Sequence, residues 1–227
     1  MATSGTTAFN MDFTDIAEEA WERAGREMRS GYDLRTARRS MNLLTIEWIN
    51  RGINMWTIEE STQTLTAGTA TYALGADVVD LLEHVLRENS GNVATQSDIS
   101  LNRISVSTYS SIPNKLQQGR PLQVWIERKQ AAPTVTFWPV PDKAGYIMKY
   151  YYLRRVQDAG NGAENPDMPF RFLPCLVAGL AYYIAMKVPE LMPRVQLLKQ
   201  DYEEQFAMAA AEDREKTSAV FVPSIRY

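Results

Sequence analysis

The chain holds one cysteine and one histidine in 227 residues, Cys175 and His84. A lone cysteine has no partner within the chain, so no disulfide framework is expected and a reducing compartment fits. Its neighbours Leu173, Pro174, Leu176 and Val177 are apolar, which favours a small core residue over a reactive thiol. His84 falls on an expected strand among apolar residues, without a companion for a triad. No Cys/His/Asp cluster has metal-ligand spacing, so no metal site is expected. Glycines never bunch, which leaves no phosphate loop and no dinucleotide fingerprint, and no cofactor is expected.

Long apolar runs are also missing. None approaches the roughly 20 residues of a membrane-spanning helix. The segment Met1 to Asn10 lacks the basic region and apolar block of a signal peptide; its Thr/Ser/Gly-rich text is that of a frayed leader. Charge of one sign is scarce too. The formal net charge of -3 argues against tight, sequence-independent gripping of nucleic acid, which needs clustered Lys and Arg to displace counterions. It is compatible with DNA that merely passes.

What remains is an ordinary globular composition, 45% hydrophobic and 22% charged, long enough for one large domain or a domain with an insertion. A first helix is expected from about Phe13 to Arg29. Phe13, Ile16, Ala17, Ala20, Trp21, Ala24 and Met28 form one stripe, with Asp12 as cap and Gly31 as stop. A second is expected from about Leu34 to Trp56, with two apolar faces, one of Leu34, Ala37, Met41, Leu44 and Trp48, the other of Ile46, Ile49, Ile53 and Trp56. Two faces imply two neighbours, so this helix should be central. Arg35, Arg38 and Arg39 make a basic patch near its start, where the helix dipole disfavours cations. They mark either a solvated face or the seat of an acidic partner.

Thr57 to Gly75 has the Thr-rich alternation of a hairpin. A strand is expected from Leu82 to Glu88, a loop from Asn89 to Gln96, and a short helix over the sheet within Leu101 to Ile112. Leu122 to Leu153 then alternates apolar and polar residues in three runs, a β-meander whose second strand Pro139 and Pro141 close. Trp125, Trp138 and Tyr151 fall on its outer face. After a Gly- and Asn-rich loop, a third helix opens at Pro169 or Pro174 and buries Leu173, Leu176, Val177, Leu180, Ala181 and Ile184. Pro193 opens a fourth, with Val195, Leu198, Tyr202, Phe206 and Ala209. The expected class is α+β: a four-helix bundle, two helices from each end of the chain, with an inserted antiparallel β domain and an extended C-terminal tail. The expected division is 1–56 and 167–211 for the bundle, 57–155 for the insertion and 212–227 for the tail.

Paired carboxylates are the one enzymatic pattern present. Glycoside cleavage needs two carboxyls about 5–10 Å apart, and Glu18, Glu19 and Glu22 share a helix, as do Glu203 and Glu204. Such charges ordinarily form a solvated face. Aromatics interleaved with Arg128, Lys129, Arg154 and Arg155 have the composition of a base-stacking surface, yet packing both faces of a sheet demands the same alternation. The apolar tail residues Ala219, Val220, Phe221, Val222, Pro223, Ile225 and Tyr227 follow a charged hinge from Glu212 to Lys216. An extended apolar terminus either tucks back on its own domain or adds as a strand or wedge to a partner. The partner is the favoured reading, because the fourth helix points the tail away from the bundle.

Several short motifs occur in a telling order. Glu47-Trp48 and Asn50-Arg51-Gly52 come first, then Tyr109 with Ile112-Pro113-Asn114-Lys115. Gly119-Arg120-Pro121, Trp138-Pro139-Val140-Pro141-Asp142, Tyr150-Tyr151-Tyr152, Gly179-Leu180-Ala181 and Tyr202-Glu203-Glu204 follow. From Phe13 to Ala211 the chain resembles the head-to-tail adaptor (connector) proteins of tailed bacteriophages, of podovirus type. The resemblance implies a structural virion protein and not an enzyme. It implies a homo-oligomeric ring, commonly of twelve copies, that joins the portal protein to the tail nozzle or other tail proteins after packaging. The ring would continue a channel through which genomic DNA slides unbound. It implies assembly in the host bacterial cytoplasm, residence in the virion neck, no membrane and no cofactor. The tail, with Val220, Phe221, Val222, Pro223, Ile225, Arg226 and Tyr227, would dock on the portal. Arg35, Arg38, Arg39, Trp125, Trp138 and Tyr151 would face other subunits or tail proteins. Some relatives have been suggested to attack cell-wall glycan, so the alternative is a virion-associated peptidoglycan hydrolase, for which no residue here matches a catalytic motif.

Overall fold

The structure is a computed structural model that describes residues 5–7, 9, 11–160 and 162–214. Among these the chain forms five α-helices: α1 (Phe13–Ala24), α2 (Gly31–Asn50), α3 (Val106–Ser111), α4 (Leu173–Ala185) and α5 (Val195–Glu212). Its strands are β1 (Ile58–Thr64), β2 (Thr71–Ala73), β3 (Val78–Glu88), β4 (Ser97–Ser100), β5 (Asn102–Ile104), β6 (Gln118–Gly119), β7 (Gln123–Glu127), β8 (Thr134–Trp138), β9 (Val140–Pro141) and β10 (Ile147–Arg154). They belong to two compact units. The first takes the described residues up to Trp56 and from Val156 onward; the second is Thr57–Arg155.

In the first unit, α1 begins as its sequence dictates. The Asp12 carboxylate accepts the Asp15 N–H at 2.9 Å, and Phe13, Ile16, Ala17, Ala20, Trp21 and Ala24 are all buried. The helix stops at Ala24, not Arg29. Gly25 takes a left-handed φ of 105°, and the N–H groups of Gly25 and Arg26 turn back to the Glu22 and Trp21 carbonyls at 2.9 and 3.0 Å. Gly31 is therefore no stop; it is the first residue of α2, whose Ser30 cap accepts from the Asp33 N–H.

The same closure ends α2 at Asn50, well short of Trp56. Gly52 sits at φ 90°, and the Gly52 and Ile53 N–H groups bond the Ile49 and Trp48 carbonyls at 3.1 and 3.0 Å. The expected second apolar face is consequently broken. Ile46 is 53% exposed, while Ile53 is buried beyond the turn. The central helix is α4 instead. Leu173, Cys175, Leu176, Val177, Ala178, Gly179, Leu180, Ala181, Ile184 and Ala185 are all buried, and a helix apolar on every side is a buried one.

The four-helix bundle is not what forms. In a bundle each helix lies between two neighbours; here α1, α2 and α5 each pack chiefly on α4. The second unit also contains a helix, α3. The chain is α+β with five helices and three sheets. The expected tail, 215–227 in particular, lies outside the described residues.

The second unit contains two four-stranded sheets, ordered β1-β10-β3-β4 and β2-β8-β7-β5, and a small pair, β6-β9. The expected wholly antiparallel domain is corrected to a mixed one, because β5–β7 and β6–β9 run parallel. The meander is corrected as well. β7 and β8 do form an antiparallel pair, with Val124 opposite Phe137 and Ile126 opposite Val135. Pro139 and Pro141 have no N–H to continue that ladder, so Val140–Pro141 leaves to pair with Gln118–Gly119. The chain then enters the other sheet, where β10 lies between β1 and β3. The expected hairpin over Thr57 to Gly75 is likewise absent, since β1 and β2 belong to different sheets. Leu81, Leu86, Met148, Tyr150 and Tyr152 from one sheet share a core with Val124, Ile126, Val135 and Phe137 from the other. Because β1 pairs with β10, Ile58 opposite Leu153, this unit begins and ends on adjacent strands.

Candidate assembly surfaces

Many of the motif residues meet in two clusters, one inside each unit. In the first unit, the Glu47 carboxylate on α2 accepts from the Tyr183 hydroxyl on α4, from the Tyr202 hydroxyl on α5 at 3.0 Å, and from Arg51 at 3.1 Å. Trp48 Nε1 donates to the Tyr202 oxygen at 3.1 Å. Arg51 continues to Glu203 at 2.8 Å and lies 3.3 Å from the Phe206 ring centre. Burial and the bond to Glu47 push the Tyr183 phenol up to about 12; burial also raises Tyr202. Both remain protonated donors. Gly179 makes room for this cluster, since a Cβ there would stand 2.8 Å from Leu44 and 2.9 Å from the Tyr202 ring.

In the second unit, Tyr109 of α3 stacks on Trp125 of β7 at 4.9 Å. Trp138 Nε1 donates to the Asn114 carbonyl at 3.0 Å. Lys115 donates to the Ser110 and Ile112 carbonyls at 3.1 and 3.0 Å and lies 5.5 Å from the Tyr109 ring centre. The short helix thus lies on the sheet, as its serine-rich text implied, and partly covers the aromatic face. Trp125 and Trp138 are half-buried; Tyr151 of β10 is 42% exposed. The Tyr151 phenol is raised by its hydrogen bond to Glu60.

The cations beside these aromatics have protein partners. Arg128 and Arg103 both pair with Asp80, Lys129 with Glu127 at 3.0 Å, and Arg154 with Glu59 at 2.7 Å. Arg155 donates to the Gln130 carbonyl at 3.2 Å. Paired guanidinium groups are poorly placed to clamp a phosphate backbone, which weakens the base-stacking interpretation.

The arginines of α2 are less engaged. Arg38 donates to the Gly160 carbonyl at 3.0 Å. Arg35 and Arg39 are exposed, and Arg39 reaches only the Thr36 hydroxyl of its own helix at 3.5 Å. Tyr32, Arg35, Arg38 and Arg39 line one cleft. A second cleft of about 570 Å³ adjoins it at Tyr32 and Arg39, with Trp21, Leu43 and Lys187 among its other walls. The portal-docking residues expected from sequence, Val220, Phe221, Val222, Pro223, Ile225, Arg226 and Tyr227, lie outside the described residues.

The groups with enzymatic potential do not come together. Glu18 and Glu22 lie on the exposed side of α1, and Glu19 pairs with Arg23 at 2.8 Å. Glu203 is held by Arg51. Burial pushes the Cys175 thiol up to about 12, as befits a core residue. His84 is on β3, with both ring nitrogens buried and without a hydrogen-bond partner among the described residues. Burial, then the nearby Arg103 charge, lowers its pKa. No group of three or more His, Cys, Asp or Glu among the described residues could hold a metal ion, and no described helix is long and apolar enough to cross a membrane.

Sequence reasoning singled out the basic residues of α2 and the aromatic residues of the sheets but not the Glu47 cluster as a unit. Its signal was a carboxylate and two tyrosines set inside apolar helical text. No curated protein matches the chain. A family model described as SU10 adaptor protein matches residues 11–224. That span takes in both units, so the chain belongs to the SU10 adaptor protein family, whose members are structural phage adaptors.

Proposed function

We propose that the chain is the ring-forming subunit of a phage neck of podovirus type, joining the portal to the tail and continuing the DNA channel after packaging. The family match over residues 11–224 carries this reading. Copies assemble in the host bacterial cytoplasm into a homo-oligomeric ring of twelve. A ring of identical subunits needs a heterologous contact, two different patches repeated until the rotation closes. A net charge of -3 suits a channel that DNA must cross without adhering, because adhesion draws on clustered cations. The division proposed is of a helical part, 1–56 with 167–211, a β-rich part, 57–155, and a docking tail, 212–227.

The tail carries the portal contact through Val220, Phe221, Val222, Pro223, Ile225, Arg226 and Tyr227, a largely apolar segment whose burial on a partner is favourable. Arg35, Arg38, Arg39, Trp125, Trp138 and Tyr151 face neighbouring subunits or tail proteins such as a nozzle. Removing residues 218–227 tests the docking role. The truncated protein is expected to keep its circular dichroism and thermal transition yet fail to retain portal rings in a pull-down. Undiminished retention would remove the tail from the portal contact.

A further inference from the structure

Two helix faces in the first unit carry opposite charge, and among the described residues that charge is unmatched. On α1 the side opposite the core presents Asp15, Glu18 and Glu22, all exposed, at the three- and four-residue spacings of one helical face. Among the described residues none of these carboxylates makes an ion pair, while the flanking Glu19 is matched by Arg23. On α2 the exposed side presents Tyr32, Arg35, Arg39, Leu43 and Ile46. Arg35 and Arg39 have no carboxylate partner among the described residues. Lys187, beyond the end of α4, joins Arg39 in the wall of the larger cleft and, among the described residues, donates only to the Ser40 hydroxyl, at 2.7 Å.

The cationic side is also internally disfavoured. Arg39 stands close enough to Lys187 to lower its pKa, in addition to the effect of burial. Within that cleft Arg26 is already matched by Asp33, at 3.8 Å, and Glu190, also in its wall, makes no ion pair with Arg39 or Lys187. A carboxylate from outside would relieve the Arg39–Lys187 repulsion and meet Arg35 beside it. Leu43 and Ile46, 56% and 53% exposed, add apolar surface next to the charges, the mixture that interfaces use.

We infer that the exposed face of α2, with Arg35, Arg39 and Lys187, receives the acidic face of α1, with Asp15, Glu18 and Glu22, from a second copy of this chain. This rests on the ring assembly proposed above and names the contact that builds it. The two faces lie on different helices and differ in charge, so the contact is heterologous: each copy offers one face to one neighbour and the other face to the next. Such steering by opposite charge weakens as salt screens it.

Zero-length cross-linking tests the pairing. Full-length protein in isotopically light and heavy forms is mixed at low ionic strength and treated with a carbodiimide, which joins a carboxylate to a lysine amine. Light–heavy peptides linking Lys187 to Asp15, Glu18 or Glu22 are expected, and raising the salt should remove them. Their absence at low salt overturns the pairing. Charge reversal supplies the second arm. A variant with Asp15→Lys, Glu18→Lys and Glu22→Lys, and another with Arg35→Glu and Arg39→Glu, should each lose self-association in sedimentation while staying folded by circular dichroism. Mixed together they should recover it, because each then offers the charge that the other lacks. Association that survives reversal, or variants that fail to recombine, also overturns it. In either of those cases wild-type binding to portal rings would leave the adaptor reading standing; loss of that binding would discard the adaptor reading separately.

Discussion

Single residues decide how tightly the helices approach α4. Gly179 is the clearest case. Alanine there would raise helix propensity by about 1 kcal/mol, but its Cβ would fall 2.8 Å from Leu44 and 2.9 Å from Tyr202. Neither neighbour yields readily: Leu44 is fully buried, and the Tyr202 ring is fixed by hydrogen bonds to Trp48 and Glu47. Overpacking of this kind costs about 1–3 kcal/mol, so Gly179→Ala should lower the denaturant midpoint without changing the slope of the transition. An unchanged or higher midpoint would show that the helices can separate freely. At this scale the sequence was partly legible. The stripe Phe13, Ile16, Ala17, Ala20, Trp21 and Ala24 is visible as spacing and is buried throughout. The Glu47 cluster was not, because its hydrogen bonds join residues 136 and 155 positions apart, and periodicity carries no information about such pairs.

Elements show where local text stops being sufficient. Alternation in β7 and β8 places Val124, Ile126, Val135 and Phe137 on the buried face correctly. It does not name a strand's neighbour, and β10 pairs with β1 and β3 in the other sheet. Helix ends were misjudged for a related reason. Gly25 and Gly52 take left-handed backbone that closes each helix, whereas the apolar spacing appeared to run on to Met28 and Trp56. One strand carries a pH prediction. Burial, with the Arg103 charge, lowers His84 on β3 below the usual histidine range. The unfolded chain therefore takes up a proton near pH ~6.5 that the folded second unit refuses. Stability should fall as pH drops through about 6.5 and level off below the folded pKa. Urea titrations across this range should show the loss, and His84→Phe should remove it. A wild-type stability that rises toward acid would contradict the sign.

At the scale of the whole molecule, the second unit is continuous in sequence and the first is not. The second has its own shared core, from Leu65 and Leu81 to Phe137 and Tyr152, and its first and last long strands pair. A fragment of residues 57–155 should therefore fold alone, with cooperative melting and protected strand amides, whereas residues 1–56 alone should not, because their helices bury against α4. A disordered 57–155 fragment would show that the second unit depends on the rest of the chain.

The most direct test is a cryo-electron reconstruction of the neck of virions that contain this protein. A ring of repeated subunits between portal and tail is expected, each fitted by the two units, with α1 of one copy beside α2 of the next. Absence of the chain from the neck, or its presence there as a single copy outside any ring, would contradict the account.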